Sequence, residues 1–168
     1  MYDVAVIGCG IVGAAAAYEL SRYNCRVLVL EAKNDVANVT TKANSAILHA
    51  GYDPTPGTLM AETNVRGVAL AKELCEKLDV EREEIGSLVL AFGEEDERHL
   101  EKLYQQGLAN GVPGIELLTA DEVHALEPNV SDKVTAALYA PTAAIVSPWE
   151  YALALAETAV RNGVQMRC

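Results

Sequence analysis

The sequence predicts an α/β fold that begins with a β-α-β unit and is interrupted by an inserted α+β segment. Residues 3–7 form a short apolar, β-branched run that ends at a glycine, which is typical of a buried parallel strand. The glycine-rich turn Gly8–Gly13 follows, and residues 14–21 are mostly strong helix formers. A second apolar run, residues 25–30, closes on Glu31 and predicts the second strand.

The glycine turn has the spacing of a dinucleotide-binding fingerprint. Gly8 permits the tight turn from strand to helix, Gly10 leaves room for a pyrophosphate, and Gly13 lets the helix pack closely on the strand. Phosphates then lie at the helix N-terminus, where unpaired N–H groups and the helix dipole attract anions. Glu31 lies near the ~20-residue offset of the acid that binds ribose hydroxyls. The alternative is a glycine turn without a chemical role.

Polar and turn-forming residues follow the second strand. Residues 34–45 have the composition of a loop, and residues 47–51 are a short apolar piece that returns toward the core. Residues 52–57 form a turn cluster rich in proline and glycine. Thr58 then caps a predicted helix that runs to about Leu78, because apolar residues recur there at helical spacing.

The middle of the chain alternates strand and helix signals. Residues 88–92 predict a strand, and residues 94–110 predict a charged amphipathic helix that ends at Gly111. Residues Thr119–Glu122 have the pattern of a capping box, which opens a short helix that stops before Pro128.

The last part of the chain returns to the opening unit. Residues 134–139 predict a strand, and Ser147–Glu150 is a second capping box with Pro148 at the first helical position. The helix is expected to end at Gly163, and a strand is expected to begin at Val164. Right-handed crossover rules place that strand beside the first two.

These elements predict three segments. The first is a dinucleotide-binding β-α-β unit with its following loop, the second an inserted α+β segment of the substrate or cap region, and the third an incomplete return to the first. Their bounds are 1–50, 51–144 and 145–168. Because the last strand is only beginning at the final residues, we expect a chain that is truncated within its sheet.

Net charge, cysteine spacing and the lack of long apolar runs indicate which partners and compartment to expect. The 13 lysines and arginines against 24 aspartates and glutamates give a formal charge of −11, which disfavours nucleic acid or an anionic membrane as a partner. The cysteines, Cys9, Cys25, Cys75 and Cys168, lack metal-binding spacing and predict reduced, buried thiols of a cytoplasmic protein without a bound metal. No signal peptide or membrane span is predicted, so membrane contact is expected only through a partner.

The opening residues resemble the FAD fingerprint of flavoproteins of the D-amino-acid oxidase type. The resemblance is carried by Val4, Val6, Gly8, Gly10, Gly13, Ala17, Leu20 and Glu31. More narrowly, Thr40–Tyr52 resembles FAD-dependent glycerol-3-phosphate dehydrogenases of the anaerobic type and the related L-2-hydroxyglutarate oxidases. Pro56–Leu59, Gly86–Leu88 and Ser147–Glu150 add to it. It covers essentially the whole chain, although members of these families are usually more than twice as long. The rest of their substrate domain and a late glycine-rich FAD segment have no counterpart here.

The resemblance implies a Rossmann-like unit with FAD as its cofactor. The glycine turn would hold the pyrophosphate, the residues at Glu31 the adenosine ribose, and the following polar loop the pyrophosphate or flavin side. A solvent loop is the alternative for the last group. The cofactor-binding residues implied are Gly8, Gly10, Ile11, Val12, Gly13, Glu31, Ala32, Lys33, Thr41, Asn44 and Ser45.

His49 is the candidate catalytic residue. By the resemblance it lies on a segment that passes the flavin ring, where it could bind the cofactor or a substrate hydroxyl, or carry a covalent link. A structural histidine satisfied by the backbone is the alternative. His99 and His124 lie on charged helices and are expected at the surface.

The expected reaction is oxidation of a secondary alcohol with hydride transfer to flavin, with glycerol 3-phosphate as substrate. The residues identify neither the base nor the electron acceptor. L-2-hydroxyglutarate oxidation, or another FAD-dependent oxidation of an amine or a hydroxy acid, is the alternative. Two other classes stay open, an NAD-binding Rossmann domain and a non-catalytic fragment.

Overall fold

The computed structural model describes residues 1–168 and contains five α-helices and nine short strands. A single 3₁₀ turn, Thr40–Lys42, lies in the loop after the second strand. In chain order the elements are β1 (Val4–Ile7), α1 (Ile11–Leu20), β2 (Val27–Leu30), β3 (Ile47–Leu48), α2 (Leu59–Leu78), β4 (Arg82–Glu83), β5 (Ser87–Ala91), α3 (Glu94–Asn110), β6 (Glu116–Thr119), α4 (Ala120–Leu126), β7 (Ala136–Ala140), β8 (Ala144–Val146), α5 (Pro148–Arg161) and β9 (Gln165–Arg167).

The chain divides into two compact units. The first unit contains residues 1–46, 74–81 and 146–168, and the second contains residues 47–73 and 82–145. The first unit therefore includes a short segment, residues 74–81, that the sequence placed within the insertion.

The first unit is built on a parallel three-stranded sheet in the order β1-β2-β9. This confirms the predicted β-α-β unit and the strand expected after Gly163, which pairs with β2. Val27 and Val29 are buried against α1 and α5, whose alanines Ala17 and Ala156 are also buried. Small helix residues bring the helices close to the sheet, as the alanine-rich sequence predicts.

The second unit contains a sheet in the order β3-β8-β4, in which β3 and β8 are antiparallel, and an antiparallel sheet in the order β5-β7-β6. Its larger core gathers around Leu138 of β7 and Leu100 and Leu103 of α3. A smaller cluster forms around Val123 of α4. The sequence did not indicate β4, β6 and β8, because each is short and is defined by a distant pairing partner.

Three local expectations were wrong in part. The thiols of Cys9 and Cys75 are buried, but Cys25 is half-buried in the connection to β2 and the terminal Cys168 is exposed; none of the four forms a disulfide. His99 is exposed as expected, whereas His124 is partly buried because its neighbour Val123 anchors α4.

The second capping box is also only half formed. Ser147 accepts the N–H of Glu150 at 3.3 Å, and Pro148 occupies the first turn as predicted, but the reciprocal bond from the Glu150 side chain is absent. The helix therefore begins where the sequence predicts with one of the two capping bonds.

Two further findings concern membrane-spanning helices and metal sites. No helix combines the length and apolar character needed to cross a membrane. No group of three or more His, Cys, Asp or Glu side chains is arranged to hold a metal ion.

Candidate dinucleotide site

The turn between β1 and α1 has the backbone geometry that its glycines predict. Gly8 has a φ of +89°, a left-handed conformation that favours glycine. A Cβ added to Gly13 would lie 2.0 Å from the carbonyl oxygen of Gly8, so any side chain there would force the helix away from the strand. Gly8 N–H also donates to Leu30 O at 2.7 Å, which ties the turn to β2.

The N-terminus of α1 presents backbone donors at this turn. The first helical bond runs from Ala14 N–H to Gly10 O at 2.9 Å, which leaves the N–H groups of Ile11, Val12 and Gly13 without acceptors inside the helix. No side chain at the N-cap satisfies them, and the first turn carries no acidic residue. The side chain of Thr41 accepts the Ile11 N–H at 3.0 Å. The remaining donors suit an anion.

Glu31 joins the glycine turn to the loop after β2. One carboxylate oxygen accepts the N–H of Cys9 at 2.7 Å, and the other accepts the N–H of Lys33 at 2.8 Å. These bonds, the first from Cys9 and the second from Lys33, hold the pKa of Glu31 below its ordinary value. The carboxylate is therefore ionised and oriented at neutral pH.

Cys9 lies inside the turn as a buried, neutral thiol. Its side chain is fully shielded from solvent, and burial, together with the charge of Glu31, raises the pKa of the thiol to about 11. It therefore adds no negative charge beside the helix N-terminus at neutral pH.

The polar loop is brought to the glycine turn through Thr41. This side chain is 9% exposed, and its hydroxyl oxygen lies 3.0 Å from the position of a Cβ added to Gly10. The Asn44 amide instead holds the loop itself: it donates to Thr41 O at 2.8 Å and to Thr40 O at 3.2 Å, and accepts the N–H of Ala46 at 2.8 Å. Ser45 is exposed.

The sequence analysis predicted most of these residues but not the hydrogen bonds between them. The bonds from Cys9 to Glu31 and from Ile11 to Thr41 connect positions 22 and 30 residues apart. Motif spacing indicates that such residues share a ligand, and does not indicate that they also bond to one another. The signals for Thr41 were the polarity of the loop and the resemblance carried by Thr40–Tyr52.

His49 belongs to the second unit. Its side chain is 51% exposed, and its Nδ1 lies 3.9 Å from a carboxylate oxygen of Asp53. Its imidazole is therefore accessible and has an acidic neighbour, in contrast to a buried histidine satisfied by the backbone.

Fold and site together define a dinucleotide-binding protein of the Rossmann-like class: parallel strands, a glycine turn, exposed helix amides and an acid at the end of β2. The sequence profile of the DAO family, the FAD-dependent oxidoreductases, matches residues 3–168, and the chain belongs to this family.

The chain is also similar to individual FAD-dependent or related dehydrogenases and oxidases. The chain is 52% identical to a glycerol 3-phosphate dehydrogenase of Caloramator mitchellensis over 99% of its own length and 35% of the relative. It is 34% identical to a mitochondrial L-2-hydroxyglutarate dehydrogenase of Dictyostelium discoideum, over 87% of its own length and 33% of the relative. The solved structure of L-α-glycerophosphate oxidase from Mycoplasma pneumoniae with FAD bound superposes on this chain with a TM-score of 0.91 at 34% sequence identity. The match covers 99% of this chain and 44% of the oxidase. The chain thus spans less than half the length of these proteins.

Proposed function

We propose that the turn after β1 and the N-terminus of α1 bind the pyrophosphate of FAD. The amides of Val12 and Gly13 offer two unpaired donors, and the positive end of the helix dipole favours a diphosphate. Gly10 has no side chain to block the approach. The residues present therefore fit the cofactor of the family.

The ribose end of the site is assigned to Glu31 with Ala32 and Lys33. Each carboxylate oxygen of Glu31 accepts one backbone N–H and keeps capacity to accept a ribose hydroxyl. Its negative charge repels a 2′-phosphate, which suits the unphosphorylated ribose of FAD.

The polar loop completes the proposed site. The Thr41 oxygen accepts the Ile11 N–H, so its own O–H is left to donate to a phosphate oxygen. Asn44 fixes the loop backbone with its amide, and Ser45 offers a second hydroxyl from an exposed position. In this proposal Asn44 acts by holding the loop in place.

We propose glycerol 3-phosphate as the substrate of the protein. The observation that supports it is the 52% identity to a glycerol 3-phosphate dehydrogenase, against 34% to an L-2-hydroxyglutarate dehydrogenase. FAD, when bound, supplies the acceptor for the hydride that leaves the carbinol carbon. His49, whose imidazole is accessible and neighbours Asp53, is proposed to accept the hydroxyl proton.

The test uses the protein purified from its own gene. We expect a flavin absorbance spectrum and oxidation of glycerol 3-phosphate with an artificial electron acceptor. Turnover of L-2-hydroxyglutarate alone would contradict the substrate. Retention of a nicotinamide dinucleotide in place of flavin would contradict the cofactor, and retention of neither would favour a non-catalytic module.

A further inference from the structure

The turn formed by residues 51–54 in the second unit is held by two side chains of α3. The Nδ2 amide of Asn110 donates to the carbonyl oxygens of the first and last residues of the turn, at 2.9 Å and 2.8 Å. The Nε2 amide of Gln106 donates to the two carbonyl oxygens between them, each at 3.3 Å. All four carbonyls of the turn therefore accept from one face of one helix, because positions four apart are neighbours on a helix. These two side chains, Gln106 and Asn110, are termed the amide clamp.

Two glycines let the turn pack closely against its neighbours. Gly107 of α3 is buried, and a Cβ added there would lie 2.3 Å from Ile115 Cδ1 and 3.2 Å from Tyr52 Cβ. Gly51 has a φ of +110°, and a Cβ added there would lie 2.6 Å from Val65 Cγ2. A side chain at either glycine would push the turn away from its surroundings. The conformation of the turn is therefore specified by packing as well as by hydrogen bonds.

Two exposed side chains, His49 and Asp53, lie at this turn. Nδ1 of the imidazole is 3.9 Å from a carboxylate oxygen, and the two side chains are 51% and 56% exposed. Exposed charged groups gain little from one another in water, so their attraction alone would not hold this separation. Between them, Ala50 is 2% exposed and Tyr52 is 6% exposed, which anchors the connecting backbone in the core of the second unit. The geometry of the pair therefore depends on how the turn is held.

We propose that the two residues of the amide clamp are positioning residues for the reaction. They hold the turn so that the imidazole of His49 and the carboxylate of Asp53 keep their relative placement during proton transfer. This inference rests on the proposed function, in which His49 accepts the hydroxyl proton of the substrate. The imidazole becomes positively charged as it takes that proton, and the carboxylate 3.9 Å away attracts the charge. A displacement of about 1 Å costs on the order of 10²-fold in rate, so a loosened turn slows the reaction.

The experiment removes the donors of the amide clamp in the flavin-loaded protein. Gln106→Leu and Asn110→Leu replace each amide by an apolar group of similar size. We expect kcat for glycerol 3-phosphate to fall about tenfold or more in both variants, with KM within about twofold, because the lost interaction acts on the base and not on substrate binding. The ratio of flavin to protein should stay unchanged.

A matched control lies on the same helix. Gln105 donates to Glu101 Oε1 at 2.9 Å, so Gln105→Leu removes an amide of the same kind that does not hold the turn, and it should keep the parent kcat. Gln106→Glu removes the two donors at unchanged side-chain size, so the test does not depend on the folding of the leucine variants. It should lower kcat as Gln106→Leu does. Circular dichroism checks the folding of each variant.

A second readout needs no substrate. The ring-proton resonances of His49 in NMR spectra, assigned with His49→Gln, report the surroundings of the imidazole in the purified protein. We expect the variants of the amide clamp to shift these resonances by more than their line width and to leave those of His124 on α4 in place. Gln105→Leu should move neither set.

Three outcomes would overturn the proposal: parent-level kcat in both leucine variants of the amide clamp, an equal fall in kcat for Gln105→Leu, or unchanged His49 resonances. Loss of flavin from the variants of the amide clamp would also count against it, because the amides would then act on the fold as a whole. Absence of glycerol 3-phosphate oxidation by the unaltered protein would contradict the proposed function. Shifted His49 resonances would in that case still support the amide clamp as the element that holds the histidine.

Discussion

Glu31 stabilises the folded glycine turn and is also the residue proposed to bind the ribose of the cofactor. Its two oxygens accept N–H groups from Cys9 and Lys33, so the carboxylate closes the glycine turn before any ligand binds. Such bonds to an ionised acceptor are stronger than neutral ones, although solvent access weakens them here. The sequence motif explains Glu31 only through the ribose, and the structure adds a second role in the free protein.

A pH-dependent stability follows from Glu31. Its pKa is lowered in the folded state, so the stabilisation is present above the ordinary carboxylate pKa and is lost as pH falls through the lowered value. We expect Glu31→Gln to lower the free energy of unfolding by about 1 kcal/mol at pH 7, because the amide accepts at only one of its two atoms. Urea titrations at pH 7 and pH 3 measure it. The deficit should shrink at pH 3, and Glu116→Gln, at an exposed strand position, should show neither effect. A deficit equal at both pH values would contradict this account.

Gly10 is sensitive for two reasons. A valine there would occupy the approach to the proposed pyrophosphate site and would press on the Thr41 hydroxyl, 3.0 Å from the Cβ position. We expect Gly10→Val to abolish FAD retention, measured as the flavin to protein ratio after gel filtration. Gly67→Val is the matched control, because nothing lies within 4 Å of a Cβ at that helical position. Unchanged flavin content in Gly10→Val would refute the assignment.

His49 is tested by its chemistry. If its imidazole accepts the substrate proton, His49→Gln should lower kcat by roughly 10²–10⁴-fold while flavin content is preserved. His99→Gln, at an exposed position of α3, is the control and should retain activity. Retained activity in His49→Gln would remove it from the reaction.

At the scale of elements, the sequence predicted the helices and strands whose bounds are set by neighbouring residues. Helices α2, α3, α4 and α5 begin within two residues of the predicted start because glycine, proline or a cap sets the boundary, whereas α1 begins at Ile11, three residues before the run that predicted it. Strands β6 and β8 were not predicted, because their residues pair with β7 and β3 far along the chain. The same limit applies to the site: the glycines were found from spacing, whereas the bond from Ile11 to Thr41 was not.

The two capping boxes give a prediction for the helices. Glu122 accepts the Thr119 N–H at 2.8 Å, while Glu150 makes no such bond at Ser147. We expect Glu122→Ala to lower the free energy of unfolding measurably, and Glu150→Ala to change it less. Urea unfolding followed by circular dichroism measures both. Equal losses would show that the two glutamates act alike.

At the scale of the whole molecule, the division into two units has no simple sequence signal. The sequence predicts an insertion, yet residues 74–81 belong to the first unit and the rest of α2 to the second. Helical periodicity indicates which apolar residues share one face of the helix. It does not indicate which of the two cores each residue packs into. That assignment depends on the packing of distant elements.

The separate cores predict separate responses to core truncation. Leu155 is 1% exposed in the core of the first unit, and Leu138 is 0% exposed in the core of the second. Each leucine-to-alanine change should cost about 2–5 kcal/mol through lost burial and the cavity it leaves. We expect Leu155→Ala to speed amide hydrogen exchange mainly in α1, β2 and α5, and Leu138→Ala mainly in α3, β5 and β7, because the two clusters share no residue. Exchange that rises equally in both units for either variant would show that the chain unfolds as one cooperative body.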